Sequence, residues 1–146
     1  MSNEGSYIVT GAQNCGQTDR IHWMPCQITH NGDANVANFF DPTIRKNEGT
    51  EQDISASFRG RKLRGAVMQP PAGYSGFILR EDRQPTTEEQ DHHLKVTKKF
   101  NKFHYWNLET PPSGNDAVAK AMQWVTLASV LHGQTDDEAA TPDTIR

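Results

Sequence analysis

The stretch "FRGRKLRG", residues 58–65, holds four of the fifteen lysine and arginine residues of the chain, namely Arg59, Arg61, Lys62 and Arg64. It follows "DISASF" (53–58), in which apolar residues alternate with polar ones, and runs into "KLRGAVM" (62–68). Alternation with a period of two is typical of strands, and Gly60 stands between the two runs. The stretch therefore predicts a tight β-hairpin whose tip is basic.

The charges of this hairpin have two interpretations. They can contact phosphates or an acidic partner surface, or they can be a solvated decoration that keeps the hairpin from pairing with other edges. The net charge of −3 excludes a global basic field, so nucleic-acid binding would depend on this local patch. The candidate nucleic-acid-binding residues are Arg59, Arg61, Lys62 and Arg64.

Outside the hairpin, the pattern predicts a mostly β chain that ends in one helix. Further strands are predicted within residues 20–30, 74–82 and 99–109, which gives about five strands in consecutive hairpins. The run "NDAVAKAMQWVTLASVLHG" (115–133) predicts the helix, with Ser113 or Asn115 as its cap and Gly133 as its stop.

The domain organisation follows from charge and turn residues. Residues 1–18 are predicted to be a flexible leader, and residues 134–146, which are acidic, a flexible tail. Residues 19–133 are predicted to form a single β-barrel-type domain with the C-terminal helix. Within it, residues 83–98 carry many charges and few apolar side chains, which predicts an exposed loop.

Composition limits the core that the chain can build. Only 34% of its residues are hydrophobic, against about 45–50% in an ordinary soluble domain, although the latter figure includes glycine. The aromatic residues within 103–108 can stack on bases or pack against protein, and the thin core favours packing against another chain. Cys15 and Cys26 can form one disulfide or remain two reduced thiols, and reduced thiols fit an intracellular protein. No membrane span or signal peptide is predicted.

A catalytic or metal site is not predicted. Asp91, His92 and His93 are metal-ligand types, but adjacent histidines on a charged segment rarely converge on one ion. The acidic residues fall in loops and tails rather than at strand ends, where a two-metal nuclease would hold its cations. The sequence therefore predicts no catalytic residue, no metal ligand and no cofactor on this chain.

Four stretches, taken together, resemble the C subunit of the eukaryotic type 2 ribonuclease H. They are "WMPCQITHNG" (23–32), "FFDPTI" (39–44), "FRGRKLRG" (58–65) and "YWNLETPP" (105–112). The matching residues are Pro25, Cys26, His30, Gly32, Phe39, Phe40, Pro42, Phe58, Arg59, Gly60, Arg61, Leu63, Arg64, Gly65, Trp106, Leu108, Glu109 and Pro111. The resemblance covers roughly residues 20–132.

The resemblance implies a non-catalytic subunit of a nuclear heterotrimer. In that family the B and C subunits interweave their strands in a shared triple barrel, and C lies between B and the catalytic A subunit. The complex degrades RNA in RNA/DNA hybrids and incises at ribonucleotides embedded in DNA, with Mg or Mn held by the A subunit. The partner-interface residues predicted here are Phe39, Phe40, Phe58, Arg59, Arg61, Leu63, Arg64, Tyr105, Trp106, Leu108 and Trp124.

Two rival functions remain distinguishable by experiment. A free-standing small β-barrel could bind nucleic acid through the basic hairpin, with an affinity that falls steeply with salt. A small hydrolase could use Asp91, His92 and His93, and would then cleave its substrate without partners. The assembly hypothesis instead predicts a chain that folds poorly until it is co-expressed with a B subunit.

Overall fold

The computed structural model describes residues 4–49 and 52–133. Within them the strands, in chain order, are β1 Tyr7–Thr10, β2 Gly16–Gln17, β3 His22–Trp23, β4 Arg45–Lys46, β5 Asp53–Phe58, β6 Arg61–Met68, β7 Gly76–Glu81, β8 His92–Phe100 and β9 Phe103–Leu108. The helices are α1 Val36–Phe39, a 3-10 turn at Asp41–Thr43, and α2 Ala117–His132. The predicted class, mostly β with one C-terminal helix, is confirmed.

The chain divides into two compact units. Among the described residues, the first unit holds every strand and runs to Pro112, apart from Pro71–Gly73. The second unit holds Pro71–Gly73 and continues from Ser113 through α2. The domain predicted over residues 19–133 therefore spans both units.

The first sheet, which we call the hairpin sheet, has five strands in the order β3-β9-β6-β5-β4. β5 and β6 form the predicted hairpin, with Phe58 paired to Arg61. Its two connecting residues, Arg59 and Gly60, have φ angles of 50° and 77°. Positive φ at both positions is the requirement of a type I′ turn, whose twist matches the twist of the flanking strands. The sequence prediction of a tight hairpin at Gly60 is confirmed.

The core of the protein lies on one face of the hairpin sheet. Its buried members are Phe40, Ile54, Ala56, Leu63 and Trp106. Gly65 is required beneath the indole, because a Cβ at this position would lie 2.5 Å from Trp106 Cε3. Phe40 packs edge-to-face on Trp106 with ring centroids 5.7 Å apart. The core is therefore centred on one tryptophan, enclosed by the sheet and the segment around α1.

The second sheet, which we call the open sheet, is built around β8. β1 and β2 pair in parallel with one side of β8, and β7 pairs antiparallel with its other side. Ile78 pairs with Lys98 and Leu79 with Val96, so Thr97 is an extra residue that forms a bulge in β8.

Three sequence predictions are corrected by these strands. Residues 92–98, predicted as part of an exposed loop, belong to β8, where Leu94 and Val96 are more buried than their neighbours on either side. The lysines of this segment give it the polar composition of a loop, so the alternation was not recognised. The leader predicted at 1–18 contains β1 and β2, since "YIVT" is a β-branched run that pairs with β8. The predicted consecutive hairpins are confirmed at β5 and β6 but do not continue, because β6 pairs next with β9 rather than with β7, and β3 pairs in parallel with β9.

Helix α2 begins after Asp116 and ends at Gly133. The predicted stop is confirmed, whereas the cap position is Asp116 and not Ser113 or Asn115. None of the described helices has the length and apolar character needed to cross a membrane. The tail predicted at 134–146 lies outside the described residues.

Candidate partner-binding surfaces

Four of the predicted interface residues lie in the interior of the chain. Trp106 is 0% exposed and Leu63 2%, and Phe40 and Tyr105 are also buried. Their rings and methyl groups contact neighbours within the chain, and Leu63 alone of the four also lines the groove beside the hairpin tip. In this structure these residues pack in the interior of the chain.

The other predicted interface residues lie at the surface, at different places. Phe58, Arg59, Arg61 and Leu108 come together in one groove beside the hairpin tip. Phe39 is 78% exposed at the end of α1. In the second unit, Trp124 is 64% exposed and shares one side of α2 with Leu127 and Leu131, also exposed. No described residue of α2 is buried.

The groove beside the hairpin tip has a volume of about 600 Å³. One wall is the irregular segment 25–30, together with Ala34 and Val36, and the other is formed by side chains of the hairpin sheet. Leu63 forms part of its lining, and Ile28 and Leu108 are exposed apolar side chains in it. The groove combines an apolar surface with two cations, Arg59 and Arg61, and an apolar surface with a charged rim suits a protein segment.

The four cations of the hairpin do not act as one patch. Arg64 Nη2 lies 3.4 Å from Asp53 Oδ2 across β5 and β6, which neutralises its charge. The guanidinium of Arg59 lies 5.8 Å from the centroid of the Phe58 ring. Arg61 and Lys62 are exposed on opposite faces of β6. The hairpin therefore presents two cations to the groove, one to the other face, and uses the fourth internally.

A series of polar contacts lies at the edge of the core, and the sequence analysis did not predict it. Trp106 Nε1 donates a hydrogen bond to His22 Nδ1 at 3.1 Å. Because Nδ1 accepts, the proton of the neutral ring lies on Nε2, which is 3.5 Å from Asp41 Oδ1. The His104 ring stacks on His22 at 4.7 Å between centroids.

Burial lowers the pKa of His22, and the nearby His104 lowers it further, while Asp41 raises it by a smaller effect. The imidazole is therefore held neutral, in the tautomer that receives the indole proton. The two hydrogen-bonded residues lie 84 positions apart, so no local pattern in the sequence indicates their contact.

The outer edge of the open sheet is a second surface that the sequence did not single out. β7 pairs with β8 on one side, and no described strand pairs with its other side. Phe77, Ile78 and Leu79 are consecutive in β7 and 39%, 38% and 43% exposed. Successive side chains of a strand point to opposite faces, so both faces of this edge carry exposed apolar groups. An uncovered apolar edge strand is a template for another strand.

The residues of the hydrolase hypothesis do not converge. His92 Nδ1 lies 2.7 Å from Glu81 Oε1, and its ring stacks on Tyr7. His93 is the next residue of the strand and points to the opposite face. Asp91 Oδ1 accepts a hydrogen bond from the backbone N–H of Ser6. Over residues 4–49 and 52–133 no three His, Cys, Asp or Glu side chains are grouped to hold a metal ion.

Both cysteines are free thiols in the structure. Cys26 is exposed and lines the groove. Cys15 Sγ donates a hydrogen bond to the carbonyl of Ala12 at 3.3 Å. Cys15 and Cys26 are not joined in this structure, which has the arrangement of the two-thiol prediction.

The chain resembles known proteins over most of its length. Residues 20–131 match the family described as "Ribonuclease H2 non-catalytic subunit (Ylr154p-like)". The C subunit of ribonuclease H2 from Mus musculus is 28% identical, over 82% of this chain and 84% of its own length. Its counterpart from Bos taurus is 29% identical, over 81% and 83%. An uncharacterized protein of Schizosaccharomyces pombe is 25% identical, over 76% and 81%.

Proposed function

The chain belongs to the family of ribonuclease H2 non-catalytic subunits, and we propose that it is the scaffold on which the other two subunits of that complex assemble. The resemblance stated from the four motifs is confirmed by the family match. We further propose that the complex is a heterotrimer with one A, one B and one C subunit, and that this chain lies between the other two.

The observation that carries the proposal is the uncovered apolar edge of the open sheet. Among the described residues eight hydrophobic side chains are buried, while sixteen large hydrophobic ones are exposed. Single exposed apolar residues are ordinary in folded proteins, but a contiguous set marks a binding surface. The set at β7 includes a row of backbone N–H and C=O groups that face away from β8 and can pair with another strand.

We assign this edge to the B subunit. Strand addition at β7 would continue the open sheet into the partner, which is the physical meaning of strands interwoven in a shared triple barrel. Phe77 and Leu79 share one face and Ile78 lies on the other, so the added strand would be covered on both sides. The groove beside the hairpin tip, with Arg59 and Arg61, is the second surface, and we assign it to the A subunit.

The chemistry of the complex is assigned to the A subunit. We propose that A holds Mg or Mn on its carboxylates and cleaves RNA in RNA/DNA hybrids, including single ribonucleotides embedded in DNA. This chain needs no cofactor in that scheme, and it contributes position and stability. A complex with these substrates would act in the nucleus.

Co-expression tests the proposal. The chain is produced alone, with a B subunit, and with A and B together, and each preparation is run on size exclusion with mass determination. We expect poor solubility alone, a stable pair with B, and a complex of one copy of each with all three. A chain that is soluble, cooperative in unfolding and monomeric on its own, and that does not bind B, would contradict the proposal.

The alternative, a free-standing nucleic-acid-binding β-barrel, rests on the basic hairpin. The ion pair between Arg64 and Asp53 removes one of its four cations, and Arg59 and Arg61 share an apolar groove. This alternative predicts a folded monomer whose affinity for RNA/DNA hybrid disappears in an R59Q/R61Q variant. Size exclusion and hybrid binding of the isolated chain separate the two functions.

A further inference from the structure

One face of the open sheet carries three cations, Arg80, Lys95 and Lys98, which we call the basic face. Arg80 of β7 is directly opposite Lys95 of β8, and Ile78 is opposite Lys98. Residues that are directly opposite share a face, and positions 78 and 80 share a face because a strand has a period of two. All three cations therefore lie on the same side of the sheet, and all three are exposed.

The fold does not neutralise these charges. None of the three takes part in an ion pair with a described residue. Glu81 is the one acidic residue within β7 and β8, and it lies on the opposite face beside His92. Like charges directly opposite each other on a sheet are destabilising, so the pair Arg80 and Lys95 opposes folding. An anion bound between them would relieve this repulsion.

Two glycines shape the space around the lysines. A Cβ at Gly16 would lie 3.2 Å from Lys98 Nζ, and a Cβ at Gly11 would lie 3.8 Å from Lys95 Cγ. Both glycines flank the connection between β1 and β2, which runs beside β8. The lysine side chains therefore lie over backbone that carries no side chain, and the ammonium of Lys98 is close to the sheet rather than extended into solvent.

We propose that the basic face binds the phosphate backbone of a nucleic-acid duplex. Cβ atoms of directly opposite residues are about 5 Å apart, so Arg80 and Lys95 can contact one phosphate together. Because of the bulge at Thr97, Lys98 lies opposite Ile78, two positions from Arg80 along β7 and about 7 Å along the sheet, so it can reach a neighbouring phosphate of the same strand of the duplex. The choice of a nucleic acid over an acidic protein rests on the proposed function.

The character of the face points to backbone contact rather than base contact. Phe100 is the aromatic residue on this side of β8, and it is occupied: its ring fills the space above Gly76, where a Cβ would lie 2.3 Å from it. Lysine and arginine side chains contact phosphates, whereas stacking on bases requires an exposed aromatic ring, and this face has none among the described residues of β7 and β8. The face would therefore bind duplexes of any sequence and hold the substrate while the A subunit acts on it.

The test uses the complex purified by co-expression and a short fluorescein-labelled DNA duplex that contains no ribonucleotide and so is not cleaved. The variant is K95Q/K98Q. The control K99Q/K102Q removes the same charge, at Lys99, whose ammonium lies 5.9 Å from the centroid of the Phe77 ring on the opposite face, and at Lys102 in the turn that follows β8. Fluorescence anisotropy is measured between about 50 and 200 mM salt.

We expect K95Q/K98Q to weaken duplex binding by about tenfold or more at low salt, and to reduce the slope of log affinity against log salt by about two. We expect the control K99Q/K102Q to change the logarithm of the affinity by less than half as much as K95Q/K98Q does. Equal effects of the two variants, or no effect of either, would overturn the proposal. Loss of a partner subunit from K95Q/K98Q on size exclusion, with duplex binding unchanged, would assign the face to a protein and overturn it as well.

Failure of the proposed function has a different signature. If the wild-type chain forms no complex with A and B, the anisotropy series is run on the full chain alone. Duplex binding that depends on Lys95 and Lys98 would then keep this inference while the assembly proposal falls. Gly16→Ala adds a second, milder probe, because it displaces the Lys98 ammonium without removing its charge.

Discussion

The hairpin sheet and the open sheet are made of strands of similar length, yet they differ in how many of their residues are buried. The hairpin sheet encloses Trp106, Leu63 and Ile54 beneath the segment that carries Phe40. In the open sheet every described residue of β1 and β2 is exposed, and in β7 and β8 only Gly76 and Val96 are buried. One sheet therefore contributes a buried core within the chain, while the other leaves most of its residues exposed.

The largest expected effect comes from truncating the centre of the hairpin sheet. Trp106→Ala leaves a cavity beneath Phe40 and removes the donor to His22 Nδ1, and we expect a loss of about 3–5 kcal/mol in the free energy of unfolding. Val96→Ala, the matched truncation in the open sheet, removes less buried area, and we expect about 1–2 kcal/mol. The measurement is the midpoint of thermal unfolding of the co-expressed complex. Equal losses would remove the distinction between the two sheets.

A second pair of variants adds one methyl group to each sheet. The Cβ of Gly65→Ala would lie 2.5 Å from Trp106 Cε3, and that of Gly76→Ala 2.3 Å from the Phe100 ring. Trp106 is fully enclosed and cannot move, so we expect Gly65→Ala to cost about 2–3 kcal/mol. Phe100 is only half-buried and can rotate away, so we expect Gly76→Ala to cost about 1 kcal/mol.

Thermal unfolding of the two glycine variants under identical conditions gives the comparison. The hairpin glycine Gly60, at φ 77° with open space around it, provides a control for backbone strain without a steric clash. If Gly76→Ala proved the more damaging of the pair, the open sheet would be the more rigidly packed of the two.

The secondary structure that could be predicted from the sequence is the part that depends on local pattern. The hairpin followed from the alternation in residues 53–58 and from Gly60, and the end of α2 followed from Gly133. β8 could not be recognised, because Lys95, Lys98 and Lys99 give a strand the composition of a loop. The β-branched residues of β1 are a local strand signal, but its partner lies about 85 positions further along the chain, so its pairing could not be predicted.

The candidate surfaces were predictable to a smaller extent. The motif around Gly60 indicated the groove, since Phe58, Arg59 and Arg61 line it. Sequence reasoning could not separate Trp106, which is internal, from Leu108, which is at the surface, because register against β6 and cover by Phe40 decide their burial. The uncovered edge of β7 required knowledge of which strands pair.

The smallest of the expected effects on stability concerns pH. Burial lowers the folded-state pKa of His22, so the unfolded chain binds a proton more readily than the folded one. The contribution of neutral His22 to stability is therefore fully present above the unfolded-state pKa of about 6.5. It is lost as the pH falls from there through the folded-state pKa. Protonation of Nδ1 also removes the acceptor that the Trp106 N–H uses.

We expect His22→Asn to flatten this dependence, because the amide oxygen can accept from Trp106 and does not titrate. His30→Asn, at an exposed histidine outside the core, is the matched control and should leave the dependence unchanged. Thermal midpoints between pH 5 and 8, compared among the three proteins, provide the measurement. A stability that increases towards acid pH in the wild-type protein would contradict the assignment.

Amide hydrogen exchange in the complex with the B subunit decides whether a partner strand completes the open sheet at β7. We expect the β7 amides that do not bond to β8 to exchange as slowly as those of β6 in the hairpin sheet. Ile78→Lys should abolish that protection while leaving β6 unchanged. Rapid exchange of these amides in the intact complex, at the rate of the connection over residues 82–91, would show that no strand is added there.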